Sequence, residues 1–270
     1  VEIDMENYFG TIAHDWLTRM LEERIDDGPF LRLIRKWLKA GILETDGQVT
    51  HPVTGTPQGG VVSPILANVY LHYVLDLWFH RKVLRSCHGE ACLIRYADDV
   101  VCAFEHGAEA DRFLKDLEAR LAKFGLRLSP TKTHRLAFSR EGGGETSFDF
   151  LGFEFRWSRD RLRRPHLKRR TARKSLRRSL ARFTAWCREG RHVPITRLMR
   201  KVRQKLAGYY RYFGIYDNTR SLWRFYFEAT RILQKWLNRR SYNWAGFEAL
   251  LEHFQIPRPA AALPRRPRRT

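Results

Sequence analysis

What the chain lacks already narrows its class. It has no run of 18 apolar residues, so no membrane-spanning helix is expected. Its four cysteines, Cys87, Cys92, Cys102 and Cys187, form no CxxC pair and no zinc-type spacing with histidine. That argues against a disulfide scaffold or a zinc module and predicts reduced thiols in a cytoplasmic protein. The opening VEIDMENYFG has no basic stretch followed by an apolar one, so it does not read as a signal peptide. It also lacks an initiator Met and starts inside a strand-like segment, from which further coding sequence upstream is expected. No segment repeats. Acidic residues are scarce in one region only: residues 156–270 hold 6 Asp and Glu against 32 Lys and Arg.

What is present is a foldable, strongly basic chain. Hydrophobic residues make up 43% of its 270 positions, enough for a core, and the formal net charge is +21. Such an excess suits a polyanion partner, because neutralised phosphates release their counterions. The charge is uneven. Residues 1–155 carry 18 Lys and Arg against 23 Asp and Glu, a net of −5, whereas residues 156–270 carry a net of +26. An evenly basic protein of the ribosomal kind would not divide this way. A catalytic body followed by a polyanion-gripping part would.

The pattern predicts an α+β first part and an almost wholly helical second part. Val1–Asp4 reads as a strand end, and His14–Ile25 and Phe30–Ala40 as helices. Ile42–Thr50 reads as a hairpin centred on Asp46–Gly47. Ser63 before Pro64 predicts an N-cap, and a long helix follows through Leu84. Cys92–Tyr96 and Val100–Phe104 read as hairpin strands, Ala108–Phe124 as a helix, and Phe148–Trp157 as a further hairpin. Helices are predicted over Ser175–Cys187, Ile195–Phe213, Ser221–Leu237 and Trp244–Phe254. The Pro- and Arg-rich tail from Ile256 to Thr270 is expected to be extended.

The chemistry points to Tyr96-Ala97-Asp98-Asp99. A random Asp pair is most often a solvated turn. Here both flanks are apolar strands, which a surface turn does not require. Asp4, ending the first strand, supplies a third acid. Three converging carboxylates repel one another unless cations neutralise them, which is the design of a two-metal site. Oxygen-only ligands favour Mg²⁺, with Mn²⁺ as a substitute.

Five segments together carry a family resemblance. They are Asp4…Tyr8-Phe9, then Thr56-Pro57-Gln58-Gly59-Gly60 through Asn68, Arg95-Tyr96-Ala97-Asp98-Asp99, Leu128-Ser129-Pro130-Thr131-Lys132-Thr133, and Phe150-Leu151-Gly152-Phe153. In this order they resemble the palm motifs of group II intron reverse transcriptases of the bacterial type. The resemblance implies a polymerase palm over 1–160, an antiparallel sheet with packed helices. It makes Asp4, Asp98 and Asp99 metal ligands and catalytic residues. Lys132 would face the leaving pyrophosphate. Phe9 would exclude the 2′-hydroxyl and select dNTPs, Gln58 would lie against the nucleotide or template, and Gly59, binding the nucleotide with them, would permit backbone approach there. Phe150, Leu151 and Gly152 would support the primer end.

Residues 205–214, 221–226 and 236–241 are similar to the α-helical, maturase-specific thumb of that family, expected over 161–255, with 256–270 as a tail. The cations expected on RNA are Arg169, Arg170, Arg173, Lys174, Arg177, Lys201, Lys205 and Arg211. The implied partners are an RNA template/DNA primer duplex, the parent intron RNA and dNTPs. The implied activity is RNA-directed DNA synthesis together with assistance to intron splicing and retrohoming, in the cytoplasm with no membrane. A homodimer is compatible with this reading. Nothing resembles an HNH endonuclease. The chain departs from the pattern by lacking the family's fingers segment and by having Gly10 where an acid is usual. Two alternatives follow: a non-polymerising RNA-binding splicing remnant, and a reverse transcriptase recruited to CRISPR or phage defence.

Overall fold

The computed structural model describes residues 1–40, 42–43, 49–50, 54–56, 60–140, 146–160, 162–239 and 246–259. The chain divides into two compact units, Val1–Ala137 and Phe138–Thr270.

In the first unit a three-stranded antiparallel sheet has the order β1-β5-β4, with β1 at Glu2–Ile3, β4 at Ala91–Tyr96 and β5 at Asp99–Phe104. Alternation sets its faces. Leu93, Val100 and Cys102 join the core side, while Cys92, Ile94 and Tyr96 are exposed. Short α1 (Tyr8–Thr11) leads to α2 (His14–Glu22) and α3 (Gly28–Lys39), whose N-cap Asp27 accepts from the Phe30 amide at 2.9 Å. The short strands β2 (Ile42–Leu43) and β3 (Val49–Thr50) pair antiparallel as expected, but Asp46–Gly47 lies outside the described residues.

Helix α4 (Ser63–Leu71) passes through two π-helical turns, His72–Asp76 and Phe79–Val83, into α5 (Leu84–Ser86). Ser63 is its first helical residue rather than its cap; the capping position is Val62. This run and α6 (Gly107–Lys123) bury Tyr70, Leu71, Val74, Phe79, Phe113, Leu117 and Leu121 together. Each such side chain contributes about 1.5–3 kcal/mol of hydrophobic stabilisation.

The second unit contains more sheet than the sequence pattern predicts. Strands β6 (Ser147–Phe150), β7 (Phe153–Arg159) and β8 (Pro165–Thr171) form one antiparallel sheet in that order. It runs across the boundary expected at 160/161, so the compact unit begins at Phe138 instead. Strand β8 falls in the region expected to be helical. It pairs along its whole length with β7, from Arg159↔Pro165 to Phe153↔Thr171, and its His, Lys and Arg side chains mask the two-residue alternation.

Among the described residues the α-helices that follow are α7 (Arg173–Glu189), α8 (Ile195–Phe213), α9 (Thr219–Asn238) and α10 (Phe247–His253). Met199, Val202, Leu206, Leu222, Ala229 and Leu233 form their core. Trp244 lies outside the described residues. Ile256, expected to begin an extended tail, is 7% exposed and packs into this core.

Candidate active site

The acidic residues are placed by strand register. Ile3 and Met5 are buried, so the strand's alternation turns Asp4 between them outward, with its side chain 39% exposed. Strand β1 pairs Ile3 with Val100, so the next residue, Asp4, continues toward the Asp99 end of β5. Tyr96 pairs with Asp99, leaving Ala97–Asp98 as a two-residue loop. Asp99 lies within electrostatic reach of both Asp98 and Asp4. The Asp99 carboxyl is raised above the usual carboxylate range, first by partial burial, then by the charges of Asp98 and Asp4.

A loop shapes the other side of Asp4. The segment from Arg127 to His134 runs antiparallel to residues 2–6, bridging Met5 to Leu128 and Glu2 to His134. Between those bridges Ser129–Thr133 bulges around Asp4. The Ser129 amide donates to the Asp4 carbonyl at 2.8 Å, and the Thr133 hydroxyl donates to the same oxygen at 3.2 Å. The Lys132 ammonium then stands 3.3 and 3.4 Å from the two Asp4 carboxylate oxygens.

Mutually repelling carboxylates, one already paired with a cation, have the donor chemistry of an oxygen-seeking divalent ion. Among the described residues, however, no three His, Cys, Asp or Glu side chains are grouped so that they could hold a metal ion as they stand.

Phe9 is half-buried on α1, with its ring 5.4 Å from that of buried Tyr8 in an edge-on arrangement. Tyr8 anchors this helix by donating its hydroxyl to the Ala67 carbonyl. Gln58 and Gly59 lie outside the described residues. Just before them, Thr54–Thr56 forms a strap over α1. The Gly55 amide donates to Ile12 O at 2.7 Å and the Thr56 amide to Phe9 O at 2.8 Å, while the Thr54 hydroxyl donates to Gly10 O at 3.0 Å.

Gly55 has φ +89°, and a Cβ there would lie 2.7 Å from Phe9 O. Gly55→Ala is expected to cost about 2–3 kcal/mol, because the left-handed backbone and the contact with main chain leave no escape. Chemical denaturation of the variant measures this. Gly10 also has a local reason: a Cβ there would come within 2.4–2.9 Å of the Asn7 side chain.

Phe150, Leu151 and Gly152 belong to the second unit. Leu151 and Gly152 form the β6–β7 loop with φ of 50° and 79°, the positive pair that a type I′ turn requires. Tyr212 donates its hydroxyl to Leu151 O at 2.8 Å, and the Ala172 amide donates to Gly152 O at 2.9 Å.

Of the cations expected on RNA, Arg169, Arg173, Lys174, Arg177, Lys201, Lys205 and Arg211 are exposed. Arg173 and Arg177 share a face of α7, as do Lys201 and Lys205 on α8. Arg170 is used differently: it pairs at 2.6 Å with Glu154, which is 8% exposed, and so neutralises a buried acid. Most of the aromatic side chains in this part are core; Tyr212 and Phe227 are the large ones that stay exposed among the described residues.

Sequence reasoning gave no role to Arg95, Asp76 or Asn68. Arg95 donates to both of the others and to the carbonyl of Ala97. An Arg one residue before an exposed aromatic and two acids was the available signal.

Residues 1–155 match the family model described as reverse transcriptase (RNA-dependent DNA polymerase). Among curated proteins, the chain is 49% identical over 72 residues to an uncharacterized 91 kDa protein in a cob intron of Schizosaccharomyces pombe, covering 27% of this chain and 9% of that protein. It is 46% identical over 81 residues to the group II intron-encoded protein LtrA of Lactococcus lactis, covering 28% and 13%. It is 37% identical over 84 residues to the protein YkfC of Escherichia coli, covering 31% and 22%. The matches thus span less than a quarter of each of these relatives. No described helix is long and apolar enough to cross a membrane.

Proposed function

The chain belongs to the reverse transcriptase (RNA-dependent DNA polymerase) family, and from that premise we propose that it is the palm-and-thumb part of a group II intron-encoded reverse transcriptase and maturase. The observation that carries this reading is that the charges of Asp4 and Asp98 both act on Asp99, with Lys132 paired to Asp4. Asp4 and Asp98, with Asp99, would hold divalent cations. When bound, Mg²⁺ would supply activation of the primer 3′-hydroxyl and charge neutralisation at the phosphates.

The rest is done by the chain itself. Lys132 keeps Asp4 neutralised in the resting protein and, released from it, provides a cation for the departing pyrophosphate. Phe9 fills the space that a 2′-hydroxyl would need. Gln58 and Gly59 contact the incoming nucleotide. The turn at Leu151–Gly152 supports the primer end. The exposed cations of β8, α7 and α8 hold the template–primer duplex and intron RNA by their phosphates.

Primer extension on an RNA template, with Mg²⁺ and dNTPs, tests the reading. DNA synthesis supports it. RNA binding without any incorporation would instead favour the splicing-factor alternative. On the same assay, Phe9→Val is expected to raise ribonucleotide use relative to dNTP use by about tenfold or more, since steric exclusion by a side chain is worth roughly 1–3 kcal/mol. Unchanged discrimination would remove Phe9 from the site.

A further inference from the structure

We infer that Arg95 is a positioning residue that aims the acid-bearing loop, using a platform made by α4 and its first π turn; this deepens the polymerase reading and rests on it. Arg95 sits on β4, two residues before Ala97. Its Nε and Nη2 donate to the two Asp76 carboxylate oxygens at 2.8 and 2.6 Å. Its Nη1 donates to Asn68 Oδ1 at 2.8 Å and to Ala97 O at 3.0 Å. The Arg95 side chain is 12% exposed and that of Asp76 20%, so the fork is largely removed from water.

The loop needs such a hold. Ala97 has φ +55°, a left-handed conformation that an alanine adopts only against a steric cost. Its carbonyl belongs to the peptide plane that ends at the Asp98 Cα. Fixing that oxygen therefore fixes the peptide plane from which the Asp98 side chain departs. A guanidinium can meet a bidentate carboxylate and two further oxygens at once because its donors lie in one rigid plane. A lysine ammonium has no such fork.

The platform depends on the π turn. In a regular α-helix, residues eight apart are displaced by about 80° around the axis. The wider turn at His72–Asp76, closed by the Leu77 amide on His72 O, uses less rotation per residue. Asp76 is thereby brought back toward the face of Asn68, and one guanidinium reaches both.

The test uses Arg95→Lys and Asp76→Asn, which keep size and much of the polarity and so guard against simple misfolding. The expected result is a fall in kcat of about tenfold to a hundredfold, the usual range for residues that orient a ligand from behind. KM for dNTP, and template–primer affinity measured without divalent ions, stay within about twofold. Amide hydrogen exchange quickens at Ala97, Asp98 and Asp99 but not at Val101 or Cys102 inside β5. Unchanged kcat in both variants, or exchange that quickens evenly along β4 and β5, overturns the inference and leaves Arg95 as an ordinary stabilising pair. If the unsubstituted chain makes no DNA, the polymerase reading fails separately, and the exchange contrast alone decides whether Arg95 holds the loop.

Discussion

Asp98→Asn should lower DNA synthesis by about 10³-fold or more, equivalent to about 4 kcal/mol of barrier, while RNA affinity stays unchanged. Asn keeps the shape of the loop side chain and removes the charge that a divalent cation needs. The same substitution should stabilise the fold at neutral pH. Asp99 is raised by partial burial and by repulsion from Asp98 and Asp4. The folded state therefore holds that proton more tightly than the unfolded chain does, so stability is lost as pH rises from the unfolded carboxylate pKa of about 3.9 through the higher folded one. Above that window the variant lacks one of the repelling charges and should melt later than its parent; below it the difference should vanish. Because the cluster is partly solvated, the gain should stay under about 1 kcal/mol. Thermal melts at about pH 3 and pH 8 without divalent ions, beside primer extension, measure both effects. Parallel loss of stability and activity at pH 8 would show that Asp98 serves the fold instead.

The second large effect is expected at Asn218, which is 0% exposed. Its Oδ1 accepts from the Thr171 amide at 2.7 Å, and its Nδ2 donates to Thr171 Oγ1 and to Phe213 O, both at 2.8 Å. One side chain thus joins the end of β8, the end of α8 and the start of α9. Asn218→Ala leaves the buried Thr171 amide without its acceptor and opens a small void. The expected cost is about 3 kcal/mol, an orphaned buried donor alone accounting for roughly 1–3. A melting temperature lowered by about 10 °C is the corresponding observation. The effect should extend to the Leu151–Gly152 turn, because the neighbouring Ala172 amide holds Gly152 O. Hydrogen exchange at Ala172 reads that link.

These two sites differ in how far the sequence disclosed them. The acid-bearing hairpin was legible because alternation over Cys92–Tyr96 and Val100–Phe104 fixes the strands, and the register then places Asp4. The helices at 195–213 and 219–238 were legible from their apolar spacing. Strand β8 was not, since long basic side chains occupy both of its faces. Arg170 read as a surface cation because its buried partner, Glu154, lies on the adjacent strand, 16 residues earlier. Asn218 gave no signal, as a buried amide and a surface amide look alike in sequence. The Arg95 platform was hidden for a geometric reason: α-helical counting puts Asp76 on the wrong face relative to Asn68, and only the π turn corrects it.

That π turn also bears on how the chain tolerates insertions and deletions. A π turn holds one residue more than the α turn it replaces. Deleting a single residue between His72 and Asp76 would let the helix close as a regular α-helix in which Asn68 and Asp76 stand seven apart, about 20° from alignment, so that later side chains keep their faces. Such a chain would still set Asp76 and Asn68 on the face that meets Arg95, whereas closing the full-length segment as a regular α-helix would turn Asp76 away. When relatives are aligned across this helix, a one-residue gap here is therefore the least disruptive length change, because the loop keeps its aim with or without the extra residue.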